Sequence, residues 1–267
     1  MGASSLIARL RSSVAKNGPG RTLRLLGPRL YRLAFPVRIP THPFDLRYGV
    51  DTSGLIDADA LTSGHAHDSY ITAYWGTSPS VLRSLFTHWQ QSLTQTPYTL
   101  QDYALIDIGS GKGRVVMMAS DFPFRSILGV ELNPALTAIA KANLAKWTAT
   151  PHACTGLQVL NADALGIPLP DSPTLLYLYN PFDEHVLQPF LDRLYAASQT
   201  RTPPIDLMYV RAEHAHLVES VPGITLLWAG DVPLAPEDTA VDAFQTKQQD
   251  AKIYRLPGTA PAGVPAS

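Results

Sequence analysis

The sequence predicts an α/β fold with an open, mostly parallel sheet. Three observations carry the prediction. A short apolar run, Tyr103-Ala104-Leu105-Ile106, leads into the glycine-rich stretch Asp107-Ile108-Gly109-Ser110-Gly111-Lys112-Gly113, after which Val115-Val116-Met117-Met118-Ala119 begins a helix. A second apolar run, Ile127-Leu128-Gly129-Val130, ends on the carboxylate Glu131. Further strand-like runs occupy Leu157-Gln158-Val159-Leu160 and Leu175-Leu176-Tyr177-Leu178-Tyr179, each closing on a polar, turn-forming stretch.

Residues 1–43 read as a basic arm. Arg9, Arg11, Lys16, Arg21, Arg24, Arg29, Arg32 and Arg38 precede the first acidic residue, Asp45. Leu6, Ile7, Leu10 and Val14 recur at helical spacing, as do Leu23, Leu26, Leu30 and Leu33, on either side of Asn17-Gly18-Pro19-Gly20. Two amphipathic helices are expected, serving either as a cap on the domain or as a contact for a membrane interface, a nucleic acid or an acidic partner. The Arg- and Ser-rich start also has the composition of an organellar transit peptide.

Residues 44–100 are dense in polar and aromatic side chains, among them Tyr48, His65, His67, Tyr70, Tyr74 and Trp75. Val81, Leu82, Leu85, Phe86 and Trp89 form a helical apolar stripe that belongs in a core. His65 and His67 have the spacing of a metal-ligand pair, but no third ligand stands near them in the sequence, which favours a surface loop. Within residues 101–256 a helix is expected around Leu187 to Ala197, with late strands at Ile205–Val210, Ile224–Trp228 and Lys252–Leu256. The Pro- and Gly-rich tail, 257–267, reads as disordered.

Glycine turns after a first strand serve several nucleotide ligands, and spacing separates them. A dinucleotide fingerprint starting at Gly109 needs glycine where Arg114 stands. A phosphate-cradling loop ending at Gly111-Lys112 needs glycine in place of Ile106 and a hydroxyl residue in place of Gly113. What remains is Asp-x-Gly-x-Gly-x-Gly, followed about 20 residues on by a carboxylate at a strand tip, placed to accept bonds from a ribose diol.

With these residues the chain, from about Tyr70 to Arg255, resembles the class I S-adenosylmethionine-dependent methyltransferases. The resemblance implies a seven-stranded sheet of order 3-2-1-4-5-7-6 with helices on both faces, here with an N-terminal helical extension. It implies S-adenosyl-L-methionine as cofactor and S-adenosyl-L-homocysteine as product. It further implies that Asp107, Gly109, Ser110, Gly111, Gly113, Glu131, Leu132, Asp163, Ala164 and Asn180 hold the cofactor, Glu131 by the ribose and Asp163 by the adenine amino group. Tyr179-Asn180-Pro181-Phe182 is similar, without a second proline, to the loop of amino-methyltransferases in which an Asn oxygen and a proline carbonyl receive the target nitrogen and an aromatic ring stacks on it. The other reading of that loop is an Asn-Pro turn ending a strand, with Phe182 in the core. A second resemblance, to non-SET histone-lysine methyltransferases, rests on Tyr74-Trp75-Gly76-Thr77, Asp107-Ile108-Gly109-Ser110-Gly111 and Tyr179-Asn180-Pro181-Phe182, and adds Tyr74 and Thr77 to the cofactor contacts.

The function these resemblances imply is N-methylation of a small-molecule amine or a protein lysine. O-methylation of a small molecule, aminopropyl transfer and non-catalytic cofactor binding are the alternatives. Asp45, Tyr48, Asp51, His67, Asp183 and His185 are the candidates for accepting a proton. A net charge of −1 disfavours bulk electrostatic nucleic-acid binding, so no obligatory nucleic-acid partner is expected. The single cysteine, Cys154, excludes an internal disulfide and a cysteine-based zinc site and fits a reducing cytoplasm.

Overall fold

The computed structural model describes residues 39–259. The two helices expected in the arm, and most of the tail, lie outside the described residues. The described chain begins with helix α1 (Pro43–Tyr48), where the His42 ring accepts from the Phe44 N–H and Gly49 closes the last turn at φ 65°. Two short antiparallel strands follow, β1 (Leu55–Ile56) and β2 (Tyr74–Trp75). Helix α2 (Pro79–Ser92) then buries Val81, Leu82, Leu85, Phe86 and Trp89, the stripe expected from the sequence.

The main sheet is built from β3 (Ala104–Ile108), β4 (Ser126–Glu131), β5 (Leu157–Asn161), β6 (Thr174–Tyr179), β7 (Ile205–Val210), β8 (Thr225–Pro233) and β9 (Gln248–Leu256). Their spatial order is β5-β4-β3-β6-β7-β9-β8. Counted within the sheet this is 3-2-1-4-5-7-6, as expected. The first five strands run parallel, while β9 inserts antiparallel between β7 and β8. Every residue of β3 and β7 is buried, as a strand covered on both faces must be.

Side-chain alternation divides the core between those faces. Leu105, Leu175, Tyr177, Met208 and Val210 pack with α2 and with helices α3 (Arg114–Ala119) and α4 (Pro134–Trp147). Ile106, Leu176, Leu178, Leu207 and Tyr209 pack with helix α5 (Glu184–Ser198). The fully buried Asp206 is held by Arg255 at 2.7 Å, Trp89 Nε1 at 2.8 Å and Tyr103 Oη at 3.1 Å, which pins α2 to the sheet.

The last hairpin is longer than its sequence signal. Beyond Trp228 the strand continues through Ala229, Gly230 and Asp231, exposed residues paired to β9 after a register shift between Leu226 and Trp228. Among the described residues no helix is long and apolar enough to cross a membrane.

Candidate active site

The parallel strands all point their carboxyl ends at one edge, the edge at which an open α/β sheet offers its crevice. After β3 the chain turns at Gly109 and Gly111, with φ of 74° and 54°, a region that strains any residue bearing a Cβ. Crowding adds to this. A Cβ on Gly109 would lie 2.9 Å from Pro181 Cβ, and one on Gly111 would lie 2.3 Å from Tyr74 Cε2. The Tyr74 ring thus roofs the turn, and its hydroxyl donates to the Thr52 carbonyl at 2.7 Å.

At the tip of β4 the Glu131 carboxylate accepts the Gly111 N–H and the Asn133 N–H, each at 2.8 Å. Burial pushes its pKa up, and these two N–H donors pull against that. Asp107 is more strongly affected: desolvation raises its carboxyl well above the usual range, and the nearby Glu131 charge raises it further. Asp107 Oδ2 and Ser110 Oγ are buried and have no hydrogen-bond partner.

One cavity of about 960 Å³, its open mouth included, collects most of the residues expected from the sequence. Tyr74, Thr77, Asp107, Gly109, Ser110, Glu131, Leu132, Asp163, Ala164, Tyr179, Pro181 and Phe182 all line it. Glycine turn, Glu131, Asp163 and the Pro181 loop thus follow four successive strands of a 3-2-1-4-5-7-6 sheet around one crevice. The chain has the class I methyltransferase fold.

No family model matches the sequence, and no curated protein does. Solved structures do align with the class I methyltransferase fold seen here. They include the N-methyltransferase NodS of Bradyrhizobium japonicum WM9, with a TM-score of 0.44 and 12% identity over 67% of this chain and 97% of that one. An RNA methyltransferase from Salinibacter ruber in complex with S-adenosyl-L-homocysteine aligns at 0.41 and 16% identity over 71% and 99% of the two chains. Precorrin-6y C5,15-methyltransferase from Geobacter metallireducens GS-15 aligns at 0.45 and 16% identity over 78% and 100%. At this similarity the sheet order and site geometry of the chain itself decide the fold.

Gly111, Gly113 and Asn180 do not line the cavity. The two glycines serve packing and turn geometry, Gly111 beneath Tyr74 and Gly113 against Ala140 of α4. Asn180 departs furthest from its expected place. Its backbone is left-handed, φ 41°, and its Oδ1 accepts from the Tyr209 hydroxyl at 3.0 Å. The Pro181 carbonyl accepts the Thr72 N–H at 3.3 Å, and the Asn180 carbonyl accepts from Thr72 Oγ1 at 2.7 Å. The two acceptors expected to receive a target nitrogen are therefore engaged within the protein. The loop is closer to the Asn-Pro turn, and Phe182 belongs partly to the core, with its ring 5.7 Å from that of Phe190.

Trp75 Nε1 is buried without a hydrogen-bond partner, the Tyr179 hydroxyl stands beside the Arg211 and Gln249 side chains, and Trp75 and Tyr179 both line the cavity. Burial raises the Tyr179 phenol to about 12, against the lowering effect of the Arg211 guanidinium, so it stays protonated at neutral pH. The sequence marks the stretch Tyr74-Trp75-Gly76-Thr77, but only Tyr74 and Thr77 of it are expected at the cofactor. The significance of Trp75 comes from the fold, which brings this residue of β2 and Tyr179 of β6 into the lining of one cavity.

Of the six candidate proton acceptors only His67 lines the cavity. Asp45 is buried and takes the Thr52 and Ser53 N–H groups, each at 2.7 Å. The Tyr48 ring lies 4.7 Å from that of Trp147, and Asp51 pairs with Lys112 at 2.7 Å. Asp183 caps α5 by accepting the His185 N–H at 2.9 Å, while the His185 ring stacks on Tyr70. Arg114, where the dinucleotide fingerprint would need glycine, donates to Thr52 Oγ1 at 2.6 Å and to the Thr77 carbonyl at 3.0 Å, clamping the segment before β3 onto α3.

Proposed function

We propose that this protein is an S-adenosyl-L-methionine-dependent methyltransferase acting on a small, oxygen-bearing acceptor. The observation that carries the cofactor reading is the pair of unpartnered buried atoms, Asp107 Oδ2 and Ser110 Oγ, on residues that line the cavity together with Glu131. Buried polar atoms are almost always hydrogen-bonded, so two acceptor-capable groups left open at a glycine turn mark where a ligand's donors belong. A ribose diol and an aminoacyl ammonium are such donors. Each Glu131 oxygen takes one backbone N–H and keeps capacity for a ribose hydroxyl. Asp163 and Ala164, which line the same cavity, are the residues we assign to the adenine.

S-adenosyl-L-methionine supplies an electrophilic methyl group on a cationic sulfonium. The protein's part is to hold the acceptor in line with it, which lowers the barrier by positioning rather than by proton transfer. Trp75 Nε1, which has no partner within the protein, provides a donor for that task, and Tyr179 beside Arg211 and Gln249 lines the same cavity. An indole N–H gives and never accepts, and a phenol with a raised pKa keeps its proton, so both suit a hydroxyl, carbonyl or carboxylate oxygen better than an ammonium. Asn180 Oδ1 takes the Tyr209 hydroxyl and the Pro181 carbonyl takes the Thr72 N–H, so neither oxygen is kept solely for an amine.

Calorimetry tests the cofactor reading directly. S-adenosyl-L-homocysteine should bind, and Glu131→Gln should weaken it by about 1–3 kcal/mol through lost charge-assisted bonds. Preferential binding of NAD or ATP would overturn the reading. For the acceptor, Tyr179→Phe and Trp75→Phe should raise the acceptor KM while leaving S-adenosyl-L-homocysteine affinity unchanged. Mass spectrometry of products from a small-molecule panel, showing methyl on nitrogen in amines that lack oxygen, would overturn the acceptor class.

A further inference from the structure

We propose that His65, His67 and Asp163 form a binding site for a borderline divalent cation of the zinc type. The two imidazoles stand one residue apart in a loop, and the third ligand arrives from the turn after β5, about a hundred residues on, which is why the sequence shows only a pair. His67 Nδ1 lies 3.1 Å and His65 Nε2 3.9 Å from Asp163 Oδ2, and the three ligand atoms all lie within 4.8 Å of one another. Zinc bonds to imidazole nitrogen and carboxylate oxygen of about 2.0–2.1 Å put tetrahedral donors about 3.4 Å apart, so a single ion can be reached by all three with small side-chain adjustments. Among the described residues this is the only group of three or more His, Cys, Asp or Glu side chains that meets such spacing.

The surroundings hold the donors in place. Asp68 Oδ2 accepts the N–H groups of Ser63 and Gly64 at 2.7 Å and of His65 at 3.1 Å, which fixes the loop carrying both rings. Asp163 Oδ1 accepts the Leu165 N–H at 3.0 Å, leaving Oδ2 for the ion. His67 Nδ1 is buried and, although close to Asp163, makes no aligned hydrogen bond. Two imidazoles and one carboxylate are the donor set of zinc sites that keep a fourth position open, and the side chains are 28–39% exposed, enough for water to fill it. Loading has a cost within the loop. His65 Nδ1 accepts the His67 N–H at 3.2 Å, and coordination through Nε2 puts a proton on Nδ1, so this exposed bond passes to water.

Titration of the tag-free full-length chain with zinc chloride by calorimetry is the test, with cobalt(II) absorption as a second readout. The expected result is one saturable site per chain and tetrahedral cobalt bands. Affinity should fall at least about 10-fold in each of His65→Ala, His67→Ala and Asp163→Asn and stay unchanged in His214→Ala. Circular dichroism confirms that each variant is folded, and Asp163→Asn preserves the shape of the loop contact. Equal zinc affinity in wild type and Asp163→Asn, or loss of binding with His214→Ala instead, would reduce the cluster to a His–Asp ion pair and overturn the proposal. Since Asp163 is also the residue placed for the adenine, S-adenosyl-L-homocysteine binding in these variants separates the two readings: His65→Ala should lose zinc and keep the nucleoside.

Discussion

The Tyr74 ring occupies the space that a side chain on Gly111 would need, with Tyr74 Cε2 only 2.3 Å from the ideal Cβ position. The glycine at the middle of the turn is therefore required by the protein's own roof as well as by its φ of 54°. Gly111→Ala should destabilise the protein by about 1–3 kcal/mol from backbone strain and overpacking together, measured by urea unfolding. Tyr74→Ala alone removes buried aromatic area and is also destabilising. The double variant should be less destabilised than the two single losses added, because the clash exists only when both side chains are present. Simple additivity would place the whole effect in the backbone angle.

What could be read from the sequence was whatever chemistry is local. Apolar runs followed by turn residues mark β3, β4 and β6, and three glycines at alternate positions mark the turn, because strand burial and positive φ act on neighbouring residues. The contacts that shape the site are of another kind. Tyr74 over Gly111, Asp163 beside His67 and Tyr209 on Asn180 join residues far apart in the chain, and only the closed fold sets their register. Asn180 shows the limit most clearly: an Asn-Pro pair after the fourth strand reads as a functional loop, yet the direction of its side chain depends on a tyrosine one strand further on. The extension of β8 through Ala229–Asp231 was invisible for the opposite reason, since an exposed edge segment carries no apolar signal.

Asp107 combines full burial with an unpartnered oxygen, which should make it a stability cost carried for binding. Its folded pKa is raised, so the folded state binds a proton more tightly than the unfolded chain does. Stability then falls as pH rises from about 4 towards the folded pKa and stays reduced above it. Asp107→Asn should therefore raise the Tm of the ligand-free protein at pH 8 more than at pH 4, while lowering affinity for the cofactor. Calorimetric scans at the two pH values check this. A uniform loss of Tm would show that the carboxylate stabilises the fold. The same sign predicts that the cationic S-adenosyl-L-methionine, which favours ionised carboxylates, binds more tightly as pH rises.

Asn180 Oδ1 and the Tyr209 hydroxyl provide a test between a structural and a catalytic role for the loop after β6. Tyr209→Phe removes the same hydrogen bond without altering Asn180, and Tyr209 does not line the cavity. Both Asn180→Ala and Tyr209→Phe should lower stability, by about 1 kcal/mol for the lost bond, and Asn180→Ala by more because alanine is strained at φ 41°. Asn180→Gly should recover part of that excess. If turnover instead collapses in Asn180→Ala and is untouched in Tyr209→Phe, the amide acts on the substrate and a nitrogen acceptor regains its support.

The clamp between the segment before β3 and helix α3 centres on Asp45, 3% exposed, which accepts the Thr52 and Ser53 N–H groups at 2.7 Å and Ser53 Oγ at 2.6 Å and stands 3.7 Å from the Arg114 guanidinium. Removing it leaves two amides without their side-chain acceptor and a buried cation without its counter-charge. Asp45→Ala should cost about 3–5 kcal/mol, the range for breaking a buried pair from one side. Adding Arg114→Met should return part of that loss, since the unpaired cation disappears while its packing on the Phe44 ring is kept. The roof should respond as well. Tyr74 Oη donates to the Thr52 carbonyl that Arg114 also binds, so loosening Asp45 loosens the ring over Gly111 and weakens S-adenosyl-L-homocysteine binding without touching a cofactor contact. Hydrogen exchange across residues 50–78 checks this last step: faster exchange there in Asp45→Ala, with β3 and β4 still protected, is the expected pattern, and uniform acceleration over the whole sheet would show that the clamp supports the fold rather than the roof.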